Sequence, residues 1–339
     1  MRLTLAGVGF GAALLSREVW RRRRQVDLAG QVVVITGSSR GLGLAIAREL
    51  ARQGSRIVLC ARNADELERA RASVSRLGAE TLAEPCDVTR RDEVQRLIAR
   101  ATDHFGRIDV LVNNAGIITV GPMEVQTLED FERAMAVMFW GTLYPTLEVL
   151  PQMRARRGGR IVSITSIGGK VSVPHLLPYG AAKFAAVGLS EGLRAELARD
   201  GITVTTVVPG LMRTGSHVNA EFKGEPQVES LLFSLAALLP FTSISADAAA
   251  RQIVAATRRG DAEVVLGWQA ALLSRVHAML PGPTSDVLGL VNRLLPRSAG
   301  TGVGPSAGRA SRTPRIDRLL EALGESALVR EFNQVDREA

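Results

Sequence analysis

The chain has 339 residues, 46% of them hydrophobic, and a formal net charge of +8. These values are typical of a globular protein with one large domain, and its slight apolar excess leaves membrane contact open. The arginines are spread along the chain rather than forming a basic stripe interleaved with aromatic residues, so we expect no nucleic-acid partner. Two cysteines, Cys60 and Cys86, are too few for a disulfide framework and lack metal-ligand spacing. We therefore expect free thiols in a reducing compartment and no metal.

Residues 1–29 form an apolar and basic extension, in which the uncharged run Leu3–Ser16 precedes the cluster Arg21–Arg24. A helix over that run would reach roughly 21 Å, short of the ~30 Å hydrocarbon core of a bilayer. Its main positive charge lies on the wrong side for a signal peptide. Three interpretations stay open: residues 1–24 contact a membrane surface, they pack as a helix on the protein or a partner, or they are disordered or wrongly assigned. We expect a cytoplasmic protein, with any membrane contact on the cytoplasmic face.

From residue 30 onward, short runs rich in β-branched residues alternate with amphipathic helical stretches. The runs lie at 32–35, 56–60, 81–86, 109–113, 160–165 and 203–208, with a seventh at 262–266. Near-continuous apolar strands joined by helical crossovers indicate a parallel sheet that is covered on both faces. The sequence therefore predicts a doubly wound, Rossmann-like α/β domain of about seven strands over residues 30–296.

The chain changes character after Thr214. Residues 211–241 are rich in Leu, Ala and Phe, so we expect this segment to cover the substrate, and another apolar helix follows at 268–280. Residues 297–313 are dense in Gly, Ser and Pro, which is typical of a flexible linker. Residues 314–339 are expected to form a short helical tail.

Two glycine-rich stretches fit parts of a dinucleotide-binding motif. Residues 7–12 (GVGFGA) have the letters, but no strand precedes them and no acidic residue lies at the expected distance. Residues 36–43 (TGSSRGLG) directly follow the strand at 32–35 and open a helix. There Gly37 permits a tight turn, Gly41 lets backbone approach phosphate, and Gly43 allows close packing of helix on strand. The second stretch is therefore the predicted phosphate loop, with the helix N-terminus facing the pyrophosphate.

This loop resembles that of the short-chain dehydrogenase/reductase family, whose cofactor motif is T-G-x-x-x-G-x-G. The resemblance runs from about residue 30 to 267 and continues in NNAG (113–116), PGLMRT (209–214) and YGAAK (179–183). It implies that Asn113 braces the sheet, and that Asp87 and Val88 lie at the adenine ring. It places Asn114 against the cofactor and Thr214 at the nicotinamide carboxamide. The remaining cofactor-binding positions that it implies are Gly37, Ser39, Arg40, Gly41, Leu42, Gly43, Ala115, Gly116, Tyr179, Lys183, Pro209 and Gly210.

The choice of cofactor follows from charge. An NAD site usually places an acidic residue at the end of the second strand, whereas a 2'-phosphate needs cations. Here Ala61 stands at the acidic position, Arg62 follows it, and Arg40 lies in the glycine loop. Each arginine alone would pass for a solvated surface residue, but together they favour NADP(H) over NAD(H).

Tyr179 and Lys183 are four residues apart, so on a helix they share a face. An ammonium near the phenol is expected to lower its pKa and to suit it for proton transfer. Ser166, thirteen residues before the tyrosine, matches the family's catalytic serine and would hydrogen bond the substrate oxygen. Ser163 and Thr165 are the competing candidates, but neither has the family spacing. We therefore predict Ser166, Tyr179 and Lys183 as the catalytic residues.

One position departs from the family pattern. Where the family often carries an asparagine that helps to hold a water linked to the lysine, this chain has Met138, whose thioether cannot donate a hydrogen bond. Two interpretations follow: solvent reaches Lys183 by another route and the enzyme is active, or the protein binds NADP(H) with little turnover. The four histidines form no ligand cluster, and for His175 and His217 we expect surface or core roles.

The sequence thus predicts an NADP(H)-dependent oxidoreductase that transfers hydride between nicotinamide and a carbonyl or secondary alcohol. The apolar segment at 211–241 favours a lipophilic substrate such as a steroid, a retinoid-like compound or an acyl compound. The family resemblance implies a homo-oligomer. The alternatives are an NADP(H)-binding scaffold or sensor on the same fold, and a membrane-surface interaction protein.

Overall fold

The computed structural model describes residues 25–239, 241–297, 306–308, 310 and 313–332. The predicted extension at 1–24, including the glycine-rich stretch at 7–12, and most of the predicted linker lie outside these residues. In the part of the chain that is described, every helix is too short or too polar to cross a bilayer.

Twelve strands lie within the described residues, from β1 next to the extension to β12 near the C-terminus. In chain order they are β1 (Val32–Thr36), β2 (Arg56–Ala61), β3 (Thr81–Pro85), β4 (Val110–Asn113), β5 (Thr119–Val120), β6 (Gly159–Ile164), β7 (Ile202–Pro209), β8 (Leu211–Arg213), β9 (Glu221–Phe222), β10 (Ser243–Ser245), β11 (Glu263–Leu266) and β12 (Ser306–Ala307). The seven predicted strands are all present, each within one residue of its predicted ends.

Those seven strands form one parallel sheet in the order β3-β2-β1-β4-β6-β7-β11. Strand β1 pairs with β2 on one side and with β4 on the other, so the strand order reverses there. In open α/β sheets, ligands bind at the carboxyl ends of the strands beside this reversal. The predicted doubly wound fold is confirmed, and the reversal places TGSSRGLG (36–43) and NNAG (113–116) side by side.

Thirteen α-helices surround the sheets in the described residues. They are α1 (Gly41–Arg52), α2 (Ala64–Ser75), α3 (Arg91–Phe105), α4 (Leu128–Met135), α5 (Gly141–Ala155), α6 (Leu177–Glu196), α7 (Ser216–Asn219), α8 (Pro226–Leu238), α9 (Ala246–Arg259), α10 (Trp268–Met279), α11 (Pro281–Asn292), α12 (Pro314–Ala322) and α13 (Glu325–Phe332). A π-helical turn (Ala136–Trp140) joins α4 to α5. Three short 3₁₀ turns lie at Met123–Val125, Ile167–Gly169 and Leu197–Asp200.

The hydrophobic core fills both faces of the sheet. On one face α1 and α9 pack over β1 through buried residues such as Leu44, Ile46 and Ile253. On the other face α3 and α5 pack through residues such as Leu97 and Met153. A sheet covered in this way leaves its carboxyl edge as the place where loops can form a site.

The segment at 211–241, which we predicted to cover the substrate, is held by small sheets rather than by the main one. Strand β9 pairs with β5 and with β12, and β8 pairs with β10. Strand β12 comes from the predicted linker, so residues 306–308 of that segment are part of the folded domain. The predicted helical tail contains α12 and α13, and Phe332 at its end is buried against α1.

Candidate active site

The glycine loop between β1 and α1 is packed too tightly for side chains at two positions. Gly37 has φ +63°, and a Cβ there would lie 2.8 Å from the Cα of Ala115. A Cβ at Gly43 would lie 2.4 Å from the carbonyl oxygen of Gly37. Contacts this short do not occur between real Cβ atoms and backbone, so both glycines are needed to bring the loop against β4 and α1.

Gly41 differs because it faces open space. Its φ is +60°, and a Cβ placed there would have the carbonyl oxygen of Thr214 as its nearest neighbour, 4.0 Å away. Helix α1 begins here without a side-chain cap. The first N–H groups of the helix therefore lack intrahelical acceptors. These N–H groups and the helix dipole are suited to bind a pyrophosphate, and no side chain at Gly41 obstructs its approach.

The end of β4 fastens the glycine loop. The hydroxyl of Thr36 accepts hydrogen bonds from the backbone N–H groups of Asn114 and Ala115, at 3.0 and 3.1 Å. The Asn114 side-chain amide donates to the carbonyls of Thr36 and Gly37, both at 2.9 Å. Asn114, predicted to lie against the cofactor, thus also fixes the shape of the phosphate loop. Asn113 donates to the Thr146 hydroxyl on α5 at 3.0 Å, in keeping with a bracing role.

The predicted 2'-phosphate site contains a carboxylate that sequence reasoning missed. Arg40 Nη1 donates to both oxygens of Glu66, at 3.2 and 3.3 Å, and the Ser39 hydroxyl donates to Glu66 Oε2 at 3.3 Å. Arg62 is exposed, and within the described residues no hydrogen bond or ion pair holds its side chain. The signal for Glu66 is the sequence NADE (63–66): Asn63 caps α2 and accepts a hydrogen bond from the Glu66 N–H, which puts the carboxylate in the first turn beside the loop.

The other predicted cofactor contacts lie along the same edge. Asp87 caps its own turn by accepting from the Thr89 N–H and hydroxyl. Val88 packs on the start of α5, where a Cβ at Gly141 would lie 2.7 Å from Val88 Cγ2. After β7, Gly210 donates its N–H to the Leu266 carbonyl at 2.9 Å. Pro209 ends β7, and Leu42 and Thr214 are buried. The structure thus brings the predicted adenine, phosphate and nicotinamide positions to one edge.

Ser166, Tyr179 and Lys183 meet at the centre of that edge. Ser166 follows β6, and its hydroxyl accepts a hydrogen bond from the Gly168 N–H at 3.0 Å. A Cβ at Gly168 would lie 3.1 Å from the Tyr179 ring and 3.4 Å from Ser166 Oγ, so the serine and the tyrosine converge over this glycine. Lys183 lies one turn further along α6, with its Nζ 5.8 Å from the centre of the Tyr179 ring. Its Nζ is also 3.7 Å from the Cβ position of Gly116, which connects the three residues to the cofactor edge.

Burial dominates the electrostatics of this group. Burial raises the pKa of Tyr179, and a hydrogen bond with Ser166 opposes that shift. Burial lowers the pKa of Lys183 to about 8. The sequence-based expectation that Lys183 lowers the pKa of Tyr179 is therefore not met in this structure. Burial is the main cause, and the Lys183 ammonium donates to the carbonyl of Ile164 at 2.8 Å while lying 5.8 Å from the centre of the Tyr179 ring.

Met138 occupies the position at which the family often has an asparagine, and it lies near Lys183. It is buried in the π-helical turn between α4 and α5, and its Cγ is 3.9 Å from the Cβ position of Gly116, next to Lys183 Nζ. The Met138 carbonyl accepts a hydrogen bond from the Thr142 hydroxyl at 2.9 Å. Met138 offers the lysine no side-chain oxygen or nitrogen. The Lys183 ammonium donates to the Ile164 carbonyl.

His175 and His217, for which we expected surface or core roles, are buried against carboxylates. His175, which has φ +63° just before α6, has its Nδ1 2.5 Å from Glu229 Oε1 on α8. His217 on α7 has its Nε2 2.5 Å from Glu325 Oε1 on α13. No group of three or more candidate metal ligands occurs within the described ranges. These pairs connect elements around the site, and their sequence separations of 54 and 108 residues hide them from local patterns.

A doubly wound sheet with a phosphate loop at its reversal point and a serine, tyrosine and lysine beside it defines a dinucleotide-binding oxidoreductase. Comparison with known proteins agrees. A family model described as short chain dehydrogenase matches residues 31–223. The chain therefore belongs to the short-chain dehydrogenase/reductase family, whose members are NAD(P)-dependent oxidoreductases.

Curated relatives span bacteria and animals. A "Dehydrogenase/reductase SDR family protein 7-like" from Anopheles gambiae is 38% identical over 204 residues, which cover 59% of this chain and 64% of that protein. A "Putative ketoacyl reductase" from Streptomyces coelicolor is 38% identical over 186 residues, covering 54% and 71%. A "Putative oxidoreductase SadH" from Mycobacterium tuberculosis is 35% identical over 244 residues, covering 71% and 87%. The matched part is thus less than two thirds of the mosquito protein but most of the mycobacterial one.

Proposed function

We propose that this oxidoreductase uses NADP(H) to interconvert a carbonyl and a secondary alcohol on a lipophilic substrate. The observation that carries the proposal is the convergence of Ser166 and Tyr179 over Gly168, with Lys183 within reach of Gly116. Nicotinamide would supply the hydride, and the chain supplies orientation and proton transfer. The Ser166 hydroxyl donates to the substrate oxygen, Tyr179 gives or takes its proton, and Lys183 binds the ribose.

Charge at the adenine end supports NADP(H). Ala61 ends β2 where an acidic side chain would accept the ribose hydroxyls of NAD. Arg40 and Arg62 lie at the same end, and both are cations suited to a 2'-phosphate. Asp87, Val88, Asn114, Ala115, Pro209, Gly210 and Thr214 remain the proposed contacts along the rest of the cofactor.

The apolar composition of the segment at 211–241, which we propose covers the site, supports a lipophilic substrate. Helix α8 carries Val228 and Leu232 as exposed large side chains, and Leu239 follows it. The name of the Streptomyces relative refers to a ketoacyl substrate, whose acyl chain fits the same class. An apolar pocket wall with a few polar groups at the reacting oxygen is the usual form of such sites.

A binding and turnover assay tests the proposal. We expect isothermal titration to show tighter binding of NADPH than of NADH, and NADPH oxidation with at least some members of a panel of aliphatic and alicyclic ketones and aldehydes. Tyr179→Phe keeps the ring but removes the acidic proton, so it should abolish turnover and leave NADPH affinity nearly unchanged. Equal affinity for both cofactors would refute the NADP(H) preference, and turnover by Tyr179→Phe would refute the site.

The buried thioether at Met138 favours a second candidate, an NADP(H)-binding protein with little turnover. Met138→Asn introduces a donor and an acceptor beside Lys183, so in this candidate kcat should rise by roughly tenfold or more, the scale of a restored proton-transfer step. Met138→Leu is the matched control, since it keeps the volume and adds no polarity. If turnover is already substantial and Met138→Asn leaves it unchanged, the second candidate is excluded.

We also propose that the chain forms homo-oligomers. Helices α5 and α6 expose large apolar side chains, among them Leu147 and Phe184, and Trp140 is exposed just before α5. Such faces are buried when copies associate. Sedimentation velocity of the full chain should give a mass above that of one 36.3 kDa protomer, and Leu147→Arg should reduce it.

A further inference from the structure

Helices α10 and α11 are joined by Leu280 alone, and this helix pair, which we call the hairpin, exposes many apolar side chains. Helix α10 buries only Ala270, and α11 buries only Thr284. Of the 22 large apolar side chains that the described residues expose, ten lie between residues 241 and 294. These ten, which we call the apolar hairpin surface, are Phe241, Trp268, Leu272, Val276, Met279, Leu280, Val287, Leu290, Val291 and Leu294.

The exposed residues follow helical periodicity. In α10 they recur at positions 268, 272, 276 and 279, and at the end of α11 they recur at 287, 290, 291 and 294. Each set forms one stripe along a helix, and both stripes are exposed. Phe241, Met279 and Leu294 are 80–86% exposed, which is more than scattered surface residues explain. Contiguous apolar surface of this kind marks an interaction site.

The charges around the stripes decide which partner fits. Residues 267–297 contain three arginines, Arg275, Arg293 and Arg297, all exposed, and a single acidic residue, Asp286. A second copy of this surface would bring like charges together. Residues 1–24 are an equally poor cover, because they contain six arginines and one glutamate. Apolar stripes flanked by arginines are instead complementary to anionic phospholipid, which attracts basic residues and takes up the apolar face.

We propose that the apolar hairpin surface docks on an anionic lipid bilayer. Each helix has 12 residues and is about 18 Å long, which is too short to span a ~30 Å hydrocarbon core, so the hairpin lies in the plane of the interface. Near the start of the described residues, the Val26 N–H donates to the Arg258 carbonyl at the amino edge of the sheet, whereas α10 starts at the carboxyl edge.

The first turn of α10 adjoins the candidate active site. A Cβ at Gly210 would lie 3.0 Å from the Cβ of Ala270, and the Gln269 side chain donates to the carbonyl of Phe241. The docked surface therefore joins both the loop after β7 and the end of the substrate-covering segment. If the substrate is lipophilic, as the proposed function holds, docking presents the mouth of the site to the phase that contains it. The docking itself does not depend on that function.

Tryptophan fluorescence tests the contact directly, because the chain has three tryptophans and only one lies in the hairpin. In full-length protein carrying Trp20→Phe and Trp140→Phe, the emission of Trp268 should shift to shorter wavelength on adding vesicles of phosphatidylcholine and phosphatidylglycerol. Brominated acyl chains should quench it. If vesicles bind the protein and leave Trp268 emission unchanged, the proposal is wrong and another segment makes the contact.

Vesicle flotation of charge-neutral variants gives a second test. The triple change Met279→Ser, Leu290→Ser, Leu294→Ser removes only exposed side chains, and should lower partitioning into the anionic vesicles by roughly tenfold or more. The control Met123→Ser, Leu128→Ser alters apolar residues that are also exposed but lie elsewhere, and should partition like the parent. NADPH titration confirms that each variant is folded. The proposal would be overturned if the triple variant partitions like the parent, or if it loses self-association but not partitioning.

Discussion

Lys183 is a buried cation, and its lowered pKa gives the reaction a predictable pH dependence. With a pKa of about 8, its ammonium is present below that pH and lost above it. The kcat/KM for carbonyl reduction should therefore fall as pH rises through about 8, because this parameter reports ionisations of the free enzyme. In Lys183→Arg the cation persists, so this fall should vanish even if overall activity drops. A descending limb at the same pH in the arginine variant would assign it to another group.

The same lowered pKa makes the stability depend on pH. A lysine in an ion pair loses its stabilising effect as the pH rises, whereas burial of Lys183 predicts that stability increases as the pH rises. Between about 8 and the ordinary value of 10.5, the unfolded chain binds a proton at Lys183 that the folded chain does not. The free energy of unfolding should therefore rise with pH across this window, by up to roughly 3 kcal/mol. Lys183→Met should lose this rise. Denaturant titrations of both proteins at several pH values measure it, and parallel pH profiles would contradict the burial argument.

Glu66 neutralises Arg40 where the proposed 2'-phosphate would bind, and this makes it a determinant of cofactor choice. Glu66→Gln removes a negative charge that competes with the phosphate for Arg40 and Ser39. NADPH should bind about threefold more tightly, the scale of a partly exposed ion pair, while NADH affinity stays constant. Glu68→Gln on the same helix is the control, because Glu68 pairs with the exposed Arg71. Weaker NADPH binding in Glu66→Gln would show that Glu66 positions Arg40 rather than competing for it.

At the scale of elements, α8 is tied to the loop that precedes the catalytic helix. Glu229 on α8 is buried beside His175, four residues before Tyr179. Glu229→Ala would leave the imidazole without its partner, at a cost of about 1–3 kcal/mol, and would loosen the cover over the substrate. The substrate KM should rise several-fold while NADPH affinity holds. Gln227→Ala, a change on the same helix away from the buried pair, should alter neither. An unchanged KM in Glu229→Ala would mean that the pair serves stability alone.

Elements differ in how far the sequence reveals them. Strands such as β1 and β7 were predicted nearly to their ends, since a buried parallel strand is written as one continuous apolar run. The spacing of Tyr179 and Lys183 likewise follows from one helix. Strand β12 has the sequence Ser306–Ala307, which carries no strand signal and pairs only because the tail folds back onto β9. The direction of the Lys183 ammonium was also unpredictable, because it depends on the carbonyl of Ile164 and not on helix spacing.

At the scale of the whole molecule, residues 306–308 and 313–332 run from the segment predicted to cover the substrate to the helix that follows the glycine loop. Strand β12 extends the sheet of β5 and β9, and Glu325 pairs with the buried His217 of α7. Phe332 is 3% exposed against the core beneath α1, and Arg48 of α1 donates to the Glu331 carbonyl at 2.9 Å. Residues 306–308 and 313–332, which we call the strap, thus contact both the helix that opens the glycine loop and the segment predicted to cover the substrate.

Gly308 is the position at which this strap can be loosened selectively. A Cβ there would lie 2.2 Å from the carbonyl oxygen of His217, so Gly308→Ala must displace backbone. We expect a loss of about 1–3 kcal/mol of stability and faster proteolysis of the tail, together with a higher substrate KM and nearly normal NADPH affinity. Gly282→Ala is the matched control, because a Cβ there meets nothing within 4 Å. His217 belongs to the segment predicted to cover the substrate. A variant with a detached tail and an unaltered KM would therefore show that the strap stabilises the fold without shaping the site.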